Sequence, residues 1–261
     1  MMAFVHTTAI VEKGAKLGNE VYIGPYCIVG PDVEIGDGTR LEAHVSIAGH
    51  TKIGKNNKVF PFASIGQPPQ DLKYKGEPTR VVIGDNNIIR EYVTVNCGTV
   101  NGHGVTTIGD SNMFMAYSHV AHDCVIQSNV VMANNVALAG HVIIEDYAVL
   151  GGFTGVTQFN RVGKHAFIGA YSLIRLDFPP FFSGKGLDDF KVQSVNSVGL
   201  SRRGFSEDAI KKIKNAFKLL YVKRGIVMEQ AMEELRKDAK SSDDVAYLVK
   251  FIDDSKNGIV R

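Results

Sequence analysis

The 261-residue chain has little cysteine and no pairing pattern for what it has. Cys27, Cys97 and Cys124 are an odd number with no C-x-x-C, which argues against a disulfide framework and points to a reducing compartment. Charge of either sign is nearly balanced, at a formal +2, so charge gives no argument for a nucleic-acid partner. The N-terminal MMAFVHTTAI carries neither a basic region nor a long apolar stretch, so no secretory signal is expected. No apolar run approaches membrane-spanning length. The expected location is cytoplasmic. HExxH is absent, and so is any cysteine cluster; no metal site is expected.

What the chain does have is a period of six. From Val5 every sixth residue to Ile65 is aliphatic: Val5, Val11, Leu17, Ile23, Val29, Ile35, Leu41, Ile47, Ile53, Val59, Ile65. The period resumes in phase at Ile83, Ile89 and Val95, slips by one residue, and runs from Ile108 through Phe114, Val120, Ile126, Met132, Leu138, Ile144, Leu150, Val156, Val162 and Ile168 to Ile174. Such a hexapeptide period predicts a parallel β-helix in which each hexad supplies a short strand and a corner. A β-sandwich would lose phase within a few turns. Three hexads per coil make between eight and nine coils. Gly18, Gly24, Gly30, Gly36, Gly54 and Gly66 follow period residues, and the expectation is that they serve corners of positive φ. Cys27 and Cys124 fall at small positions within hexads.

Two insertions interrupt the period: Gln67 to Arg80, and the glycine-rich Cys97 to Val105. Loops inserted on a rigid scaffold are where function concentrates. After Ile174, residues 177–186 read as an irregular linker with two prolines. Three helices are then expected: one capped by Ser206 and ended by Gly225, one over Val227 to Lys240, and one over Ser242 to Ser255. The expected organisation is therefore a β-helix over 1–176 and a linker with helical domain over 177–261. Outward residues of the coils include Phe62, Met115, Tyr117, Val131 and Ala133, a broad apolar surface that predicts a homotrimer of C3 symmetry.

Among the eight histidines, His122 stands out. It lies two residues after Val120, near a corner. Asp123 follows it, His119 is close, and His141 is nineteen residues on, about one coil above. A column of imidazoles there suits a general base. His119 and His122 belong to H-x-x-H, which strand alternation would send to opposite faces and so prevent from chelating together. Cys124 reads as a packed thiol rather than a nucleophile. From Arg202 to Arg224 bases outnumber acids, with Lys211, Lys212, Lys214 and Lys218 forming a group suited to an acidic partner.

QDLKYKGEPTR, IGDNNIIREYVTV, HVAHDC, NNVALAGHV and GLSRRGF together resemble the UDP-N-acetylglucosamine 3-O-acyltransferases of lipid A biosynthesis, over nearly the whole chain. The related N-acyltransferases carry a domain before their repeats, and here the repeats begin at Val5. The resemblance implies a left-handed β-helix with a C-terminal α-helical domain. It implies transfer of an (R)-3-hydroxyacyl chain from acyl carrier protein to the 3-hydroxyl of UDP-GlcNAc, with no cofactor beyond the carrier's phosphopantetheine. It further implies His122 as general base, Asp123 as its partner and the Gly140 amide as oxyanion donor. Asp71, Lys73, His119, His141 and Gln158 would contact the sugar nucleotide. Asn196, Arg202 and Arg203 would hold its diphosphate, and Ala170 would belong to the acyl-chain ruler. The chain departs from the family at Thr157, where many members have histidine, and at Asn96 and Cys97, where others carry a basic residue. These departures bear on sugar selectivity, since some relatives acylate a 3-amino sugar nucleotide. The competing readings are a hexapeptide acyltransferase with a CoA donor and a non-catalytic β-helix.

Overall fold

The structure is a computed structural model and describes residues 2–223 and 225–261. Arg224, one of the bases counted above, lies outside the described residues. Twenty-six hexads form a left-handed parallel β-helix with three flat faces. Most strands are two residues long. Phe4–Val5 begins the first face, Ile10–Val11 the second and Lys16–Leu17 the third. Consecutive coils pair in parallel and in register, as in Tyr22 with Arg40 and His119 with Ala137. The period residues fill the interior, and Ile23, Val59, Phe114 and Leu150 are fully buried. The first coil is the exception, because it has none beneath it: Val5 is exposed and Val11 and Leu17 are half-buried. The residue four beyond each period residue is also inside, which accounts for buried Cys27 and Cys124. After the third-face strands of three successive coils that position is asparagine: Asn57, Asn87 and Asn112 form a ladder, in which Asn87 and Asn112 each donate the backbone N–H to the side chain below. Among the described residues no helix is long and apolar enough to cross a membrane.

Of the glycines expected at corners, Gly66 has the positive φ, at +82°; the others do not, and the corners otherwise differ from the expectation. The positive-φ residue lies three after the period residue and is seldom glycine: Tyr26, His44, Phe62, Tyr92, Tyr117, Asp123 and His141 all occupy it. This is the third position of a type II turn. Gly24 and Gly36 serve another need, since a Cβ would lie 2.6 Å from the Glu42 carbonyl oxygen and 2.7 Å from the Gly54 backbone, respectively. Close stacking of coils, not backbone handedness, requires them. Rings at successive left-handed corners stack at the coil spacing. Tyr26, His44, Phe62, Tyr92 and Tyr117 form one such ladder with centroids 4.9–5.0 Å apart. Phe62 and Tyr117 are thus exposed corner residues, while Met115, Val131 and Ala133 are half-buried.

Residues 177–186 are not an irregular linker. Asp177 bridges to Ile259, Phe178 to Val162, and Phe182–Lys185 pairs in parallel with Phe167–Ile168 as one more rung of the first face. Phe178, Phe181 and Phe182 are fully buried. Lys191–Val195 returns antiparallel. Four α-helices follow: α1, Ser197–Arg202; α2, Glu207–Phe217; α3, Met228–Asp238; and α4, Asp243–Asp253. The short α1 was not anticipated. Ser206 does cap α2, accepting the Ala209 N–H, but that helix widens into a π turn at Lys218–Val222 instead of running to Gly225. The helices close the top of the β-helix. Buried Glu145 accepts bonds from Arg161, the Lys164 N–H and the Tyr247 hydroxyl, and Arg161 lies 4.1 Å from the centre of the Phe251 ring.

Candidate active site

Strand alternation would have separated His119 from His122. The chain instead turns between them. His119 points outward from strand His119–Val120, His122 sits at the next corner, and both line one cavity of about 550 Å³ on the second face. Gln70, Gly140, Gly155, Thr157, Gln158 and Leu173 complete much of its wall.

Asp123 organises this corner. Its φ of +58° folds the carboxylate back beneath the neighbouring imidazole, and its Oδ2 lies 2.8 Å from His122 Nδ1. The glycine-rich insertion wraps the same carboxylate. Asp123 accepts the Thr99 N–H and hydroxyl, the His103 N–H and the Gly104 N–H. Burial pushes this carboxyl up, but the bonds from Thr99, His122 and His103 outweigh burial and hold it below the usual carboxylate range. An ionised carboxylate only accepts, so His122 donates from Nδ1, and in the neutral ring the lone pair lies on Nε2. Among the described residues Nε2 has no partner.

The coil above completes the arrangement. Gly140 lies in register with His122, and a Cβ there would stand 2.5 Å from His122 Cε1 and 2.7 Å from Nε2. Only glycine leaves room for the imidazole. The Gly140 N–H finds no acceptor among the described residues. His141 meets His122 edge-on, at 5.0 Å and 87°, so the imidazoles do not stack; His141 stacks instead on Phe159 at 4.5 Å. Burial, ahead of the other charges around it, lowers the His141 pKa, and burial alone lowers that of His119. Both favour neutral rings. His119 Nδ1 is 2.7 Å from the Thr94 hydroxyl. Cys124 is buried behind the corner with its thiol pushed up to about 12, which leaves it inert.

Ligand atoms of His122, Asp123 and His141 lie within 4.8 Å of one another, close enough for a shared cation. The Asp123 oxygens, however, already face N–H and O–H donors whose positive ends would oppose one. The cluster is built to orient His122.

The outward residues of the second face change character at this height. Over the four coils leading up to the site they are Ser46, Ser64, Thr94 and His119, with Ile10 and Ile28 further down; above it they are Ala137, Gly155 and Leu173. The groove is therefore polar on one side of His122 and apolar on the other. This polarity step was legible in the residues before each period position and was missed in the sequence.

The first insertion reaches the cavity through Gln70. Asp71 turns back to accept the Lys73 N–H, and Lys73 is exposed. Asn96 and Cys97 tie the insertions together: Asn96 Nδ2 donates to the Pro68 carbonyl and the Cys97 N–H to that of Gln67. Thr157 accepts from Asn160 Nδ2. Ala170 does not line this cavity; it lies at the preceding corner, three residues before Leu173.

Asn196, Arg202 and Arg203 are elsewhere. They line a separate cavity of about 570 Å³ with Tyr147 and His165, on another edge of the β-helix. The Asn196 side chain is committed there, capping α1 through the Gly199 N–H and donating to the His165 carbonyl. Arg203 lies 4.5 Å from the centre of the Tyr147 ring. Burial, helped by Lys164 and Arg203, lowers the His165 pKa to about 4.

A hexapeptide β-helix with an acid-oriented imidazole in a two-sided groove defines a hexapeptide-repeat acyltransferase. The bacterial transferase hexapeptide model matches residues 14–49 and 106–140, and the model for domain 2 of UDP-N-acetylglucosamine O-acyltransferase matches 177–260. The chain is 49% identical to an acyl-[acyl-carrier-protein]–UDP-N-acetylglucosamine O-acyltransferase of Thermodesulfovibrio yellowstonii, across 98% of this chain and 99% of that one. The Francisella novicida UDP-N-acetylglucosamine acyltransferase superposes with a TM-score of 0.96 at 44% identity, covering 99% of this chain and 94% of that one. The Arabidopsis enzyme of the same description gives 0.86 at 30%, covering 99% and 100%. The chain belongs to the acyl-[acyl-carrier-protein]–UDP-N-acetylglucosamine O-acyltransferase family.

Asp123→Asn tests the corner. A carboxyl depressed in the folded state stabilises above its unfolded pKa, and that stability is lost as pH falls through the folded value. In urea unfolding at neutral pH the variant should be less stable by about 2 kcal/mol, the scale of hydrogen bonds to a charged group. The gap should close as pH drops below about 3.9, the ordinary aspartate value. A gap that does not change with pH contradicts the depressed carboxylate.

Proposed function

We propose that the protein transfers an (R)-3-hydroxyacyl chain from acyl carrier protein to the 3-hydroxyl of UDP-GlcNAc, the first step of lipid A biosynthesis. One observation carries the mechanism: the His122–Asp123 pair, whose free Nε2 sits where the groove passes from polar to apolar. A sugar hydroxyl is a weak nucleophile. His122 Nε2 takes its proton as the oxygen attacks the thioester carbonyl. Asp123 holds the tautomer and stabilises the imidazolium that forms. The Gly140 N–H, fixed and unpaired, meets the tetrahedral oxyanion. Collapse expels the carrier's thiolate, which recovers the proton from His122. The sugar lies on the polar side with His119, His141, Gln158, Asp71 and Lys73, and the acyl chain lies on the apolar side. The reaction so written draws on no resident cofactor or metal. The three buried free thiols accord with a cytoplasmic enzyme.

Arg202 and Arg203 suit a diphosphate, and Asn196 shapes their cavity. In one chain they stand on a different edge from His122. A threefold arrangement, with one subunit's edge against the next subunit's groove, brings base and arginines onto one nucleotide. The exposed aromatic corners supply the apolar surface for it. The acidic carrier docks on α2 and the π turn, where Lys214, Lys218 and Lys223 surround an apolar cavity of about 690 Å³. Lys212 is less available, being paired with Asp208 at 2.9 Å.

His122→Ala should lower kcat by about two to four orders of magnitude with the fold intact, read by mass spectrometry of the acylated sugar nucleotide. Turnover near that of the wild type removes His122 from the mechanism. Sedimentation equilibrium should give three times 28.4 kDa; an active monomer refutes the shared site. Reversing the charge of Lys214 and Lys218 together should raise KM for the carrier-bound donor and leave that for the sugar nucleotide unchanged. A donor KM that stays flat, with no salt dependence, places docking elsewhere.

A further inference from the structure

Two imidazoles line the groove on the second face, and each meets a partner at Nδ1. His122 faces the Asp123 carboxylate at 2.8 Å. His119 faces the Thr94 hydroxyl at 2.7 Å. Thr94 is the outward residue in register with His119 on the coil below, and both are half-buried. The mechanism above uses the first contact and gives the second no role.

The two contacts have opposite consequences. A carboxylate only accepts, so it draws the proton of its imidazole to Nδ1. A hydroxyl can donate or accept, and three observations fix its direction here. Burial lowers the His119 pKa, so the ring is neutral at pH 7 and carries a single proton. At 2.7 Å the contact has the length of a bond given by O–H, shorter than the about 2.9–3.0 Å usual where N–H donates to oxygen. Among the described residues the Thr94 hydroxyl has no other partner; were it the acceptor, its own proton would have no protein acceptor in a half-buried place. Thr94 therefore donates to Nδ1. The ring proton then lies on Nε2, which has no partner among the described residues and is the group His119 offers to the cavity.

We propose that Thr94 is a positioning residue for the sugar: it fixes His119 in the Nε2–H tautomer, so that His119 gives a hydrogen bond to one sugar oxygen while His122 takes the proton of another. The inference rests on the acyl-transfer reading above. Every sugar hydroxyl is both donor and acceptor, so two acceptor nitrogens side by side would compete for the same proton and leave the sugar free to slip. One donor and one acceptor remove that ambiguity. Only the hydroxyl set against His122 finds a lone pair waiting for its proton, and the oxygen set against His119 finds an N–H. Thr94 touches no reacting atom in this scheme; it acts through the ring of His119.

The test uses the full-length wild type, Thr94→Val and Thr94→Ser. Valine keeps the shape of an outward strand residue and removes the hydroxyl; serine keeps the hydroxyl. Nitrogen-15 NMR of histidine-labelled wild type should show His119 protonated on Nε2 with a hydrogen-bonded, unprotonated Nδ1. Thr94→Val should shift the His119 Nδ1 resonance and Thr94→Ser should return it. In assays, Thr94→Val should raise KM for the sugar nucleotide about ten-fold, the scale of one hydrogen bond, and leave KM for the carrier-bound donor unchanged. Thr94→Ser should restore most of the loss. An Nδ1–H tautomer of His119 in the wild type overturns this inference alone, and so does a Thr94→Val variant with the wild-type KM for the sugar nucleotide. Failure of the wild-type protein to acylate the sugar nucleotide from any donor overturns the inference together with the function it rests on.

Discussion

The buried carboxylate of Asp123 is the interaction on which the site depends. It sits at a left-handed corner of a type II turn, a conformation that returns the side chain toward the residue before it. From there it collects donors from two parts of the chain at once, the glycine-rich insertion and His122. A buried acceptor with so many donors is ionised, and an ionised acceptor dictates the tautomer of its imidazole. The same bonds order the insertion, whose far end is tied to the first insertion through Asn96 and Cys97. One side chain thereby couples the His122 imidazole to the loops that border the polar side of the groove.

The β-helix makes this possible by being rigid and periodic. Each coil places the residues of the next directly above, so His122 and Gly140 meet because they are eighteen apart, and so do Asp123 and His141. Function is written along one edge as a sequence of heights: polar outward residues, then the base, then small residues, then Leu173. The interior, meanwhile, is indifferent to it.

The period of six made the fold legible, because inward residues recur without exception wherever coils are complete. The grouping of His122 with Asp123 and His141 was legible too, through adjacency and the spacing of about one coil. What strand logic alone could not supply was the corner. Alternation separated His119 from His122, yet a left-handed residue reverses the side-chain direction and brings Asp123 under His122. Gly66 takes the positive φ expected of it, whereas Gly24 and Gly36 answer to the coil above, a contact eighteen residues away that no local pattern displays. Residues 177–186 broke the period and so read as a linker, although their phenylalanines fill one more rung. Asn196 and the arginine pair are legible as residues but not in relation to His122, since the two groups lie on different edges of one chain.

The central claim is that Asp123 fixes the tautomer of His122, with the proton on Nδ1 and Nε2 open to the substrate. Nitrogen-15 NMR of protein labelled at histidine reads this directly. At neutral pH the account predicts that His122 shows an Nδ1–H resonance and an unprotonated Nε2, and that Asp123→Asn alters this pattern. An Nε2–H tautomer in the wild type, with Nδ1 unprotonated, would contradict it.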